Sequence, residues 1–201
     1  MWDPTDKGSY ILLCAVLSGC KRWCLGNSLS LVVVEDDGNP VYLAENGVTI
    51  KAKDWALVGD SGVVNGIGYT IVDIETLINM ISNGDDVTRV CTSRILDMNS
   101  MFYNSLFNQD IGNWDVSNVT DMGGVLPFNS GMFWGATAFN QDITFWDVSN
   151  VTTMRDMFGS AYAFNQNLSS WNVDGVTDCG SFSQDATSWT LPQPNFTNCT
   201  P

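Results

Sequence analysis

The chain of 201 residues contains no histidine. Histidine is the side chain that most often acts as a general base near neutral pH, and it is the commonest metal ligand in proteins. Its absence excludes the Ser-His and Cys-His nucleophilic systems and most catalytic zinc sites. Acid-base work by a pair of carboxylates needs no histidine, so that class of enzyme stays open.

Positive charge is scarce as well. Eight lysine and arginine residues stand against 22 aspartate and glutamate residues, and the net charge is −14. Proteins bind the phosphates of nucleic acids and anionic lipids with clusters of cations. We therefore expect neither nucleic acid nor an anionic lipid surface as a partner. The sequence also lacks any cofactor-binding motif, and we expect no cofactor.

The apolar run Tyr10–Gly19 is too short to span a bilayer, but its length fits the core of a signal peptide. It leads into Leu17-Ser18-Gly19-Cys20, which resembles the lipobox of bacterial lipoproteins, where the cysteine is lipidated. Asp3 and Asp6 stand where a signal peptide usually has positive charge, so an apolar N-terminal strand or helix is the alternative. We expect an exported protein, at the cell surface or extracellular, that contacts the membrane only through a lipid on Cys20.

The six cysteines include no pair at the spacing of a zinc knuckle or a redox motif. Cys179 and Cys199 flank the last apolar positions of the chain. In an oxidising compartment a disulfide between them would fix the C-terminal tail. Two unpaired thiols are the alternative, because connectivity cannot be read from spacing.

What the chain does contain is an internal repeat. Phe107–Thr120 and Phe139–Thr152 are nearly identical, and Phe164–Thr177 is a weaker copy that follows the second after 25 residues. Such self-similarity is typical of proteins whose units each need a neighbour to bury their apolar face. An altered first unit begins near Asp86, and with that unit included the same spacing of +3, +2, +3, +3 occurs four times. The four sets are Val87, Val90, Thr92, Ile95 and Met98; Ile111, Trp114, Val116, Val119 and Met122; Ile143, Trp146, Val148, Val151 and Met154; and Leu168, Trp171, Val173, Val176 and Cys179.

This spacing matches the strand of a leucine-rich repeat. It predicts an α/β repeat solenoid, leucine-rich-repeat-like and right-handed, with about four coils and a C-terminal cap over residues 86–201. Each coil would contain a strand, a turn and a short helix such as the one around Met154–Phe158. Because strand side chains alternate, the tryptophans should form an internal ladder. Asn118, Asn150 and Gly175 share one repeat position and predict a left-handed turn there.

Before the repeats, residues 25–85 predict a small β-rich cap, and residues 1–24 the export segment. Asn46-Gly47 and Asn65-Gly66 each lie between apolar runs, which is a strong hairpin signal. Asp73 predicts the start of a helix that Asn83-Gly84 ends, with Leu77, Ile78 and Ile81 on one face.

The repeated Val-Thr, Met-Phe, Phe-Asn and Trp-x-Val-Ser-Asn elements resemble those of the BspA-like surface proteins, a bacterial repeat family. The resemblance covers Asp86 to the C-terminus. It implies a leucine-rich-repeat-like fold and a surface protein of the adhesion or host-interaction kind. It implies no catalytic residue.

The outward positions of the predicted strands form the candidate contact surface for a partner protein or a glycan. These are Asn113, Asp115, Ser117, Phe145, Asp147, Ser149, Ser170, Asn172 and Asp174. The repeated aspartates do not form the Asp-rich loop of a calcium site, and we expect them to be turn-capping or solvated. We therefore predict no metal site and no catalytic residue.

The function that these observations predict is a non-catalytic recognition or adhesion module at the cell surface. The alternative is a purely structural role, as a spacer in the cell envelope or a module of a larger assembly. A calcium-dependent adhesin and a carboxylate enzyme have less support, because no motif marks either one.

Overall fold

The computed structural model describes residues 36–124 and 130–201. The chain divides into two units, residues 1–39 and residues 40–201. In the first unit, residues 36–39 are described, and there the Asp36 carboxylate accepts a hydrogen bond from Gly38 N over 3.1 Å. The predicted export segment, with Cys20, lies outside the described residues.

The second unit begins with a hairpin of strands β1 (Val41–Leu43) and β2 (Ile50–Ala52), which pair antiparallel. The Asn46 Oδ1 atom accepts hydrogen bonds from the main-chain N–H groups of Val48 and Thr49, both over 3.0 Å. Gly47 has a φ of +74°, which a residue without Cβ adopts at little cost. The hairpin predicted at Asn46-Gly47 is confirmed.

A second hairpin joins β3 (Ser61–Val64) to β4 (Ile67–Ile71). Asn65 and Gly66 form its turn, with φ angles of +52° and +80°. Two consecutive positive φ angles suit the right-handed twist of the paired strands. This hairpin is confirmed as well.

The predicted helix is also present, as α1 (Ile74–Asn83). Asp73 caps its start by accepting a hydrogen bond from Thr76 N, and Gly84 ends it in a left-handed conformation. Leu77 is fully buried, but Ile78 is exposed and does not belong to the buried face. Helix α1 provides the crossover that lets strand β5 (Val90–Cys91) pair parallel to β4.

The prediction of an α/β repeat solenoid of the right-handed leucine-rich-repeat kind is wrong. The regular elements form two small sheets, of two and three strands, together with one helix among the described residues. In the described part of residues 86–201 the only strand is β5, and no helix occurs. Apart from β5, the described residues of the repeats are turns and segments without regular secondary structure. The pairings between repeats are isolated bridges that join Asp97 to Asp121, Asp121 to Thr153, and Thr153 to Asp178.

Backbone conformation explains why the predicted short helices do not form. Ser100, Asp156 and Ser181 occupy one repeat position, and their φ angles are +56°, +58° and +56°. A residue in the left-handed region interrupts the run of right-handed residues that a helix needs. The stretch around Met154–Phe158 is therefore a turn.

We call the units repeat 1 (residues 87–110), repeat 2 (111–142), repeat 3 (143–167) and repeat 4 (168–189). The predicted tryptophan ladder inside them is confirmed. Trp114, Trp146 and Trp171 are at most 5% exposed. Each indole Nε1 donates to the first main-chain oxygen of the preceding repeat, namely Val87 O over 3.0 Å, Ile111 O over 3.1 Å and Ile143 O over 3.2 Å.

The left-handed turn predicted at Asn118, Asn150 and Gly175 is wrong, because none of the three has a positive φ. The asparagines serve another purpose. The Asn118 Nδ2 atom donates to Ser93 O over 3.0 Å, and the Asn150 Nδ2 atom donates to Ser117 O over 2.7 Å. These side-chain amides join each repeat to the preceding one.

Candidate functional site

The candidate contact surface is built on a short turn that the repeats share. In repeat 2 the Asp115 Oδ1 atom accepts hydrogen bonds from Ser117 N over 3.1 Å and from Ser117 Oγ over 2.6 Å. In repeat 3 Asp147 makes the same two bonds with Ser149, over 3.2 and 2.6 Å. The tryptophan before the aspartate and the valine after it are buried in both repeats.

Strand β2 covers this turn in repeat 2. The Ile50 main-chain N–H donates to Asn113 O over 2.9 Å. The Nζ atom of Lys51 lies 3.4 Å from the Asp115 Oδ1 atom and donates a hydrogen bond to Ser117 Oγ over 2.8 Å. The β1–β2 hairpin therefore occupies part of the surface that the sequence analysis assigned to a partner.

Three predicted contact residues are accordingly not free. Asp115 is only 3% exposed, so the prediction that it faces solvent is wrong. Asn113 and Ser117 are half-buried. The physical reason is the ion pair with Lys51, together with a hydrogen bond of 2.5 Å that Ser93 Oγ donates to the Asp115 Oδ2 atom.

Lys51 and Ser93 are the residues that the sequence analysis missed at this site. Ser93 Oγ also accepts a hydrogen bond from Ala52 N over 2.9 Å, so it joins strand β2 to repeat 1. A single lysine between two apolar residues of a strand gave no signal of this role. The excess of acidic residues was the one available hint, because a buried aspartate needs a cation or several donors.

The other six predicted contact residues are exposed, and we call them the exposed row. They are Phe145, Asp147, Ser149, Ser170, Asn172 and Asp174. Phe145 is 50% exposed although it is a large apolar side chain. The row thus offers one aromatic ring, two carboxylates, two hydroxyl groups and one amide.

A cleft of about 540 Å³ lies beside Phe145. The β1–β2 hairpin, strand β4 and repeats 1 to 3 all contribute to its lining. The lining residues are Val48, Ile67, Tyr69, Thr88, Arg89, Asp110, Gly112, Asn113, Asp142 and Phe145. The cleft therefore combines apolar side chains with one cation and two carboxylates.

The carboxylates of the cleft also shape its wall. The Asp110 Oδ1 atom accepts a hydrogen bond from Gly112 N, and the Asp142 Oδ1 atom accepts one from Thr144 N, each over 3.0 Å. Asn113 donates from Nδ2 to Thr88 O over 2.9 Å. Its Oδ1 atom is buried and accepts no hydrogen bond from any described residue.

A second group of acidic side chains belongs to the residues that form the isolated bridges between repeats. Burial raises the pKa of Asp121, and the nearby Asp97 and Asp178 carboxylates raise it further. Asp178 is paired with Arg155, whose Nε atom lies 2.9 Å from its Oδ2 atom. In the parts of the chain that the structure describes, no three His, Cys, Asp or Glu side chains are grouped as metal ligands would be.

The cysteines differ in state. Cys179 and Cys199 are joined by a disulfide with a sulfur–sulfur distance of 2.03 Å, which decides between the two alternatives that the sequence left open. Cys91 is a buried free thiol, and burial raises its pKa. The lipidation candidate, Cys20, lies outside the described residues.

None of the described helices has the length and apolar character needed to cross a bilayer. Neither the curated proteins nor the solved structures include a match to this chain. One family does match, over residues 73–190, which is more than half of the 201 residues. The match spans helix α1 and all four repeats. The chain belongs to the family described as Mycoplasma protein of unknown function, DUF285.

Proposed function

We propose that this protein is a non-catalytic recognition module of the cell surface, which binds a protein or a glycan through the exposed row and the adjoining cleft. The observation that carries the proposal is the position of Phe145. Its ring is half-exposed at the edge of a cleft of about 540 Å³ that also contains Arg89, Asp110 and Asp142. Concave sites that combine an aromatic ring with a few polar groups are typical of ligand binding.

The proposed surface location has two supports. The disulfide between Cys179 and Cys199 requires an oxidising compartment to form and persist. The resemblance of the repeats to the BspA-like surface proteins points the same way. Export through the N-terminal segment, with lipidation of Cys20, remains part of the proposal.

The non-catalytic part of the proposal rests on how the cleft carboxylates are used. Asp110 and Asp142 each accept a main-chain hydrogen bond from their own turn. A general acid or base must be free to reach the substrate. Carboxylates that recur at one repeat position and cap a turn fit a structural role better than acid-base work.

A structural spacer is the second candidate, because many outward polar side chains bind the neighbouring repeat. The Gln141 Nε2 atom donates to Asn108 O over 3.0 Å, and the Gln166 Nε2 atom donates to Asn140 O over 2.9 Å. The Thr152 main-chain N–H donates to Thr120 O over 2.9 Å. On this reading the polar surface exists to join repeats and has no partner.

The two candidates separate in a capture experiment with the full chain. A glycan array and an unbiased pull-down are probed with the wild type, with Phe145→Ala/Asp147→Asn, and with the control Leu106→Ala, which removes an apolar side chain that is 79% exposed outside the row. We expect a partner that the wild type and the control retain and the double variant loses. A partner retained equally by all three would refute the proposed surface. No partner for any of them would favour the spacer.

A further inference from the structure

The protein contains an occupied example of its own contact site. In repeat 2 the Asp-Val-Ser turn of Asp115 and Ser117 holds the ammonium group of Lys51, with Nζ 3.4 Å from the Asp115 Oδ1 atom and 2.8 Å from Ser117 Oγ. Lys51 is the central residue of strand β2, and its neighbours on either side, Ile50 and Ala52, are buried. An extended segment with one lysine is therefore what this turn binds.

Repeat 3 presents the same turn, and no described residue occupies it as Lys51 occupies the turn of repeat 2. Asp147 caps Ser149 with bonds of 3.2 and 2.6 Å, against 3.1 and 2.6 Å for the corresponding bonds of repeat 2. Asp147 and Ser149 are exposed, whereas Asp115 is 3% exposed. Among the described residues no lysine or arginine forms an ion pair with Asp147. The acceptor geometry is thus preserved, while no described residue supplies the cation.

We propose that Asp147 and Ser149 bind the ammonium group of a lysine on an extended segment of a partner protein, as Asp115 and Ser117 bind Lys51. The inference rests on the proposed function for the existence of that partner, and it specifies the partner's chemistry. The net charge of −14 favours a cationic ligand.

One main-chain acceptor beside the turn also corresponds to the occupied example. Strand β2, which carries Lys51, donates a hydrogen bond from its Ile50 N–H to Asn113 O of repeat 2. Phe145 holds the position of Asn113 in repeat 3, two residues before its aspartate, and no described residue donates to its main-chain oxygen. The exposed Phe145 ring is in place to cover an apolar neighbour of the bound lysine.

Repeat 4 provides a matched contrast within the same chain. There the turn reads Asn172-Val173-Asp174, and the Asn172 Oδ1 atom accepts a hydrogen bond from Asp174 N over 3.1 Å. An amide replaces the aspartate of repeat 3, and a carboxylate replaces its serine. Asp174→Asn removes the same charge from the same row as Asp147→Asn, but it leaves the aspartate–serine pair of repeat 3 intact.

The test is a titration of the isotope-labelled full chain with a synthetic pentapeptide, followed by nuclear magnetic resonance. The peptide, acetylated and amidated, has the sequence Val-Thr-Ile-Lys-Ala of residues 48–52. A second peptide carries norleucine, which has a similar shape but no charge, in place of the lysine. The readout is the amide signal of Ser149, whose N–H is bonded to the Asp147 carboxylate.

We expect a saturable shift of the Ser149 signal with the lysine peptide. The norleucine peptide, and separately Asp147→Asn, should each weaken binding about fivefold, as expected for one exposed ion pair with a hydrogen bond. Asp174→Asn should leave the dissociation constant within about twofold of the wild type.

Several results would overturn the inference. Equal binding of the two peptides would show that the ammonium group contributes nothing, and equal losses for Asp147→Asn and Asp174→Asn would indicate nonspecific attraction to charge. Shifts at Ser117 in place of Ser149, or no saturable shift, would also refute it. A partner that is captured through Phe145 and Asp147 while the peptide fails would leave the proposed function standing. A peptide that binds at Ser149 while no partner is captured would remove the proposed function and leave only the ammonium site.

Discussion

Trp146 donates a hydrogen bond from its indole Nε1 to the main-chain oxygen of Ile111 over 3.1 Å, and Ile111 belongs to the preceding repeat. Its ring stacks on that of Trp171 in the following repeat, with the ring centroids 6.4 Å apart. One side chain thus connects three successive repeats. Both tryptophans are buried, so their apolar contacts and their hydrogen bonds contribute together to the free energy of unfolding.

Replacing Trp146 should separate these two contributions. Trp146→Ala should lower the free energy of unfolding by about 3–5 kcal/mol, because it leaves a large cavity. Trp146→Phe keeps most of the apolar contact and removes one of the two hydrogen bonds that the Ile111 oxygen accepts, since Trp114 N still donates to it over 3.1 Å. The loss of one hydrogen bond should cost about 0.5–1.5 kcal/mol. Urea denaturation measures both. The control is Phe145→Ala, at the exposed neighbouring position, which should change stability by less than about 0.5 kcal/mol.

The amide of Asn150 should matter although the residue is exposed. Its Nδ2 atom donates to Ser117 O over 2.7 Å. Asn150→Asp would replace this donor with a carboxylate oxygen, which would face the Ser117 oxygen as a second acceptor. We expect a loss of about 1 kcal/mol in unfolding free energy. Asn195→Asp is the control, since Asn195 is exposed and its side chain makes no hydrogen bond with the described residues. Equal effects of the two variants would show that the hydrogen bond from the Asn150 side chain to Ser117 contributes nothing to stability.

The disulfide should stabilise the last repeat and the tail. Cys179 and Cys199 close a loop with a sequence separation of 20 residues. In the chain-entropy model a loop of this size is worth about 3 kcal/mol. The double variant Cys179→Ala/Cys199→Ala should therefore unfold at a lower temperature in calorimetry, and a reducing agent should lower the midpoint of the wild type toward that of the variant. An identical midpoint for the oxidised wild type and the variant would contradict the prediction.

Asp156 should make stability depend on pH in a predictable direction. Burial raises its pKa in the folded chain above the value in the unfolded chain, although Arg155 partly offsets this. The Asp156 carboxyl group therefore favours the folded state most at pH values below its pKa in the unfolded chain. This contribution is lost as the pH rises through its pKa in the folded chain. Asp156→Asn removes the penalty and retains a residue that tolerates the φ of +58°.

Denaturation curves at several pH values test this effect. We expect Asp156→Asn to be more stable than the wild type at neutral pH, with a difference that shrinks to nothing on acidification. Asp73→Asn is the control of opposite sign. Hydrogen bonds from Thr76, from its side chain first and then from its main chain, lower the pKa of Asp73. Its contribution is therefore present above the unfolded pKa and lost as the pH falls through the folded pKa. A constant difference between wild type and Asp156→Asn over the whole range would refute the account.

Local signals in the sequence predicted the local structure well. Asn65-Gly66 formed its hairpin and Asp73 capped its helix, because neighbouring residues determine both features. The buried positions of Trp114 and Trp146 also followed from the repeat spacing. The leucine-rich-repeat reading failed because the same apolar spacing is compatible with turns, and residues such as Asp156 take a left-handed conformation that spacing does not reveal.

The candidate site shows a different limit of sequence reasoning. Asp115-Val-Ser117 and Asp147-Val-Ser149 are identical in sequence, yet the first aspartate is buried and the second is exposed. The difference is due to Lys51, which reaches Asp115 from 64 positions earlier in the chain. No local pattern predicts which of two identical motifs a distant strand will cover.

Photo-crosslinking from position 145 tests the proposed function most directly. The photoreactive residue p-benzoylphenylalanine replaces Phe145 in one protein and Leu106 in another. Leu106 is the control, an apolar and exposed residue outside the row. Both proteins are irradiated in contact with the surface material or the extract that yields a partner. The account predicts adducts from position 145, their loss when Asp147→Asn is added, and none from position 106. Adducts from position 106 alone, or equal yields from both positions, would contradict it.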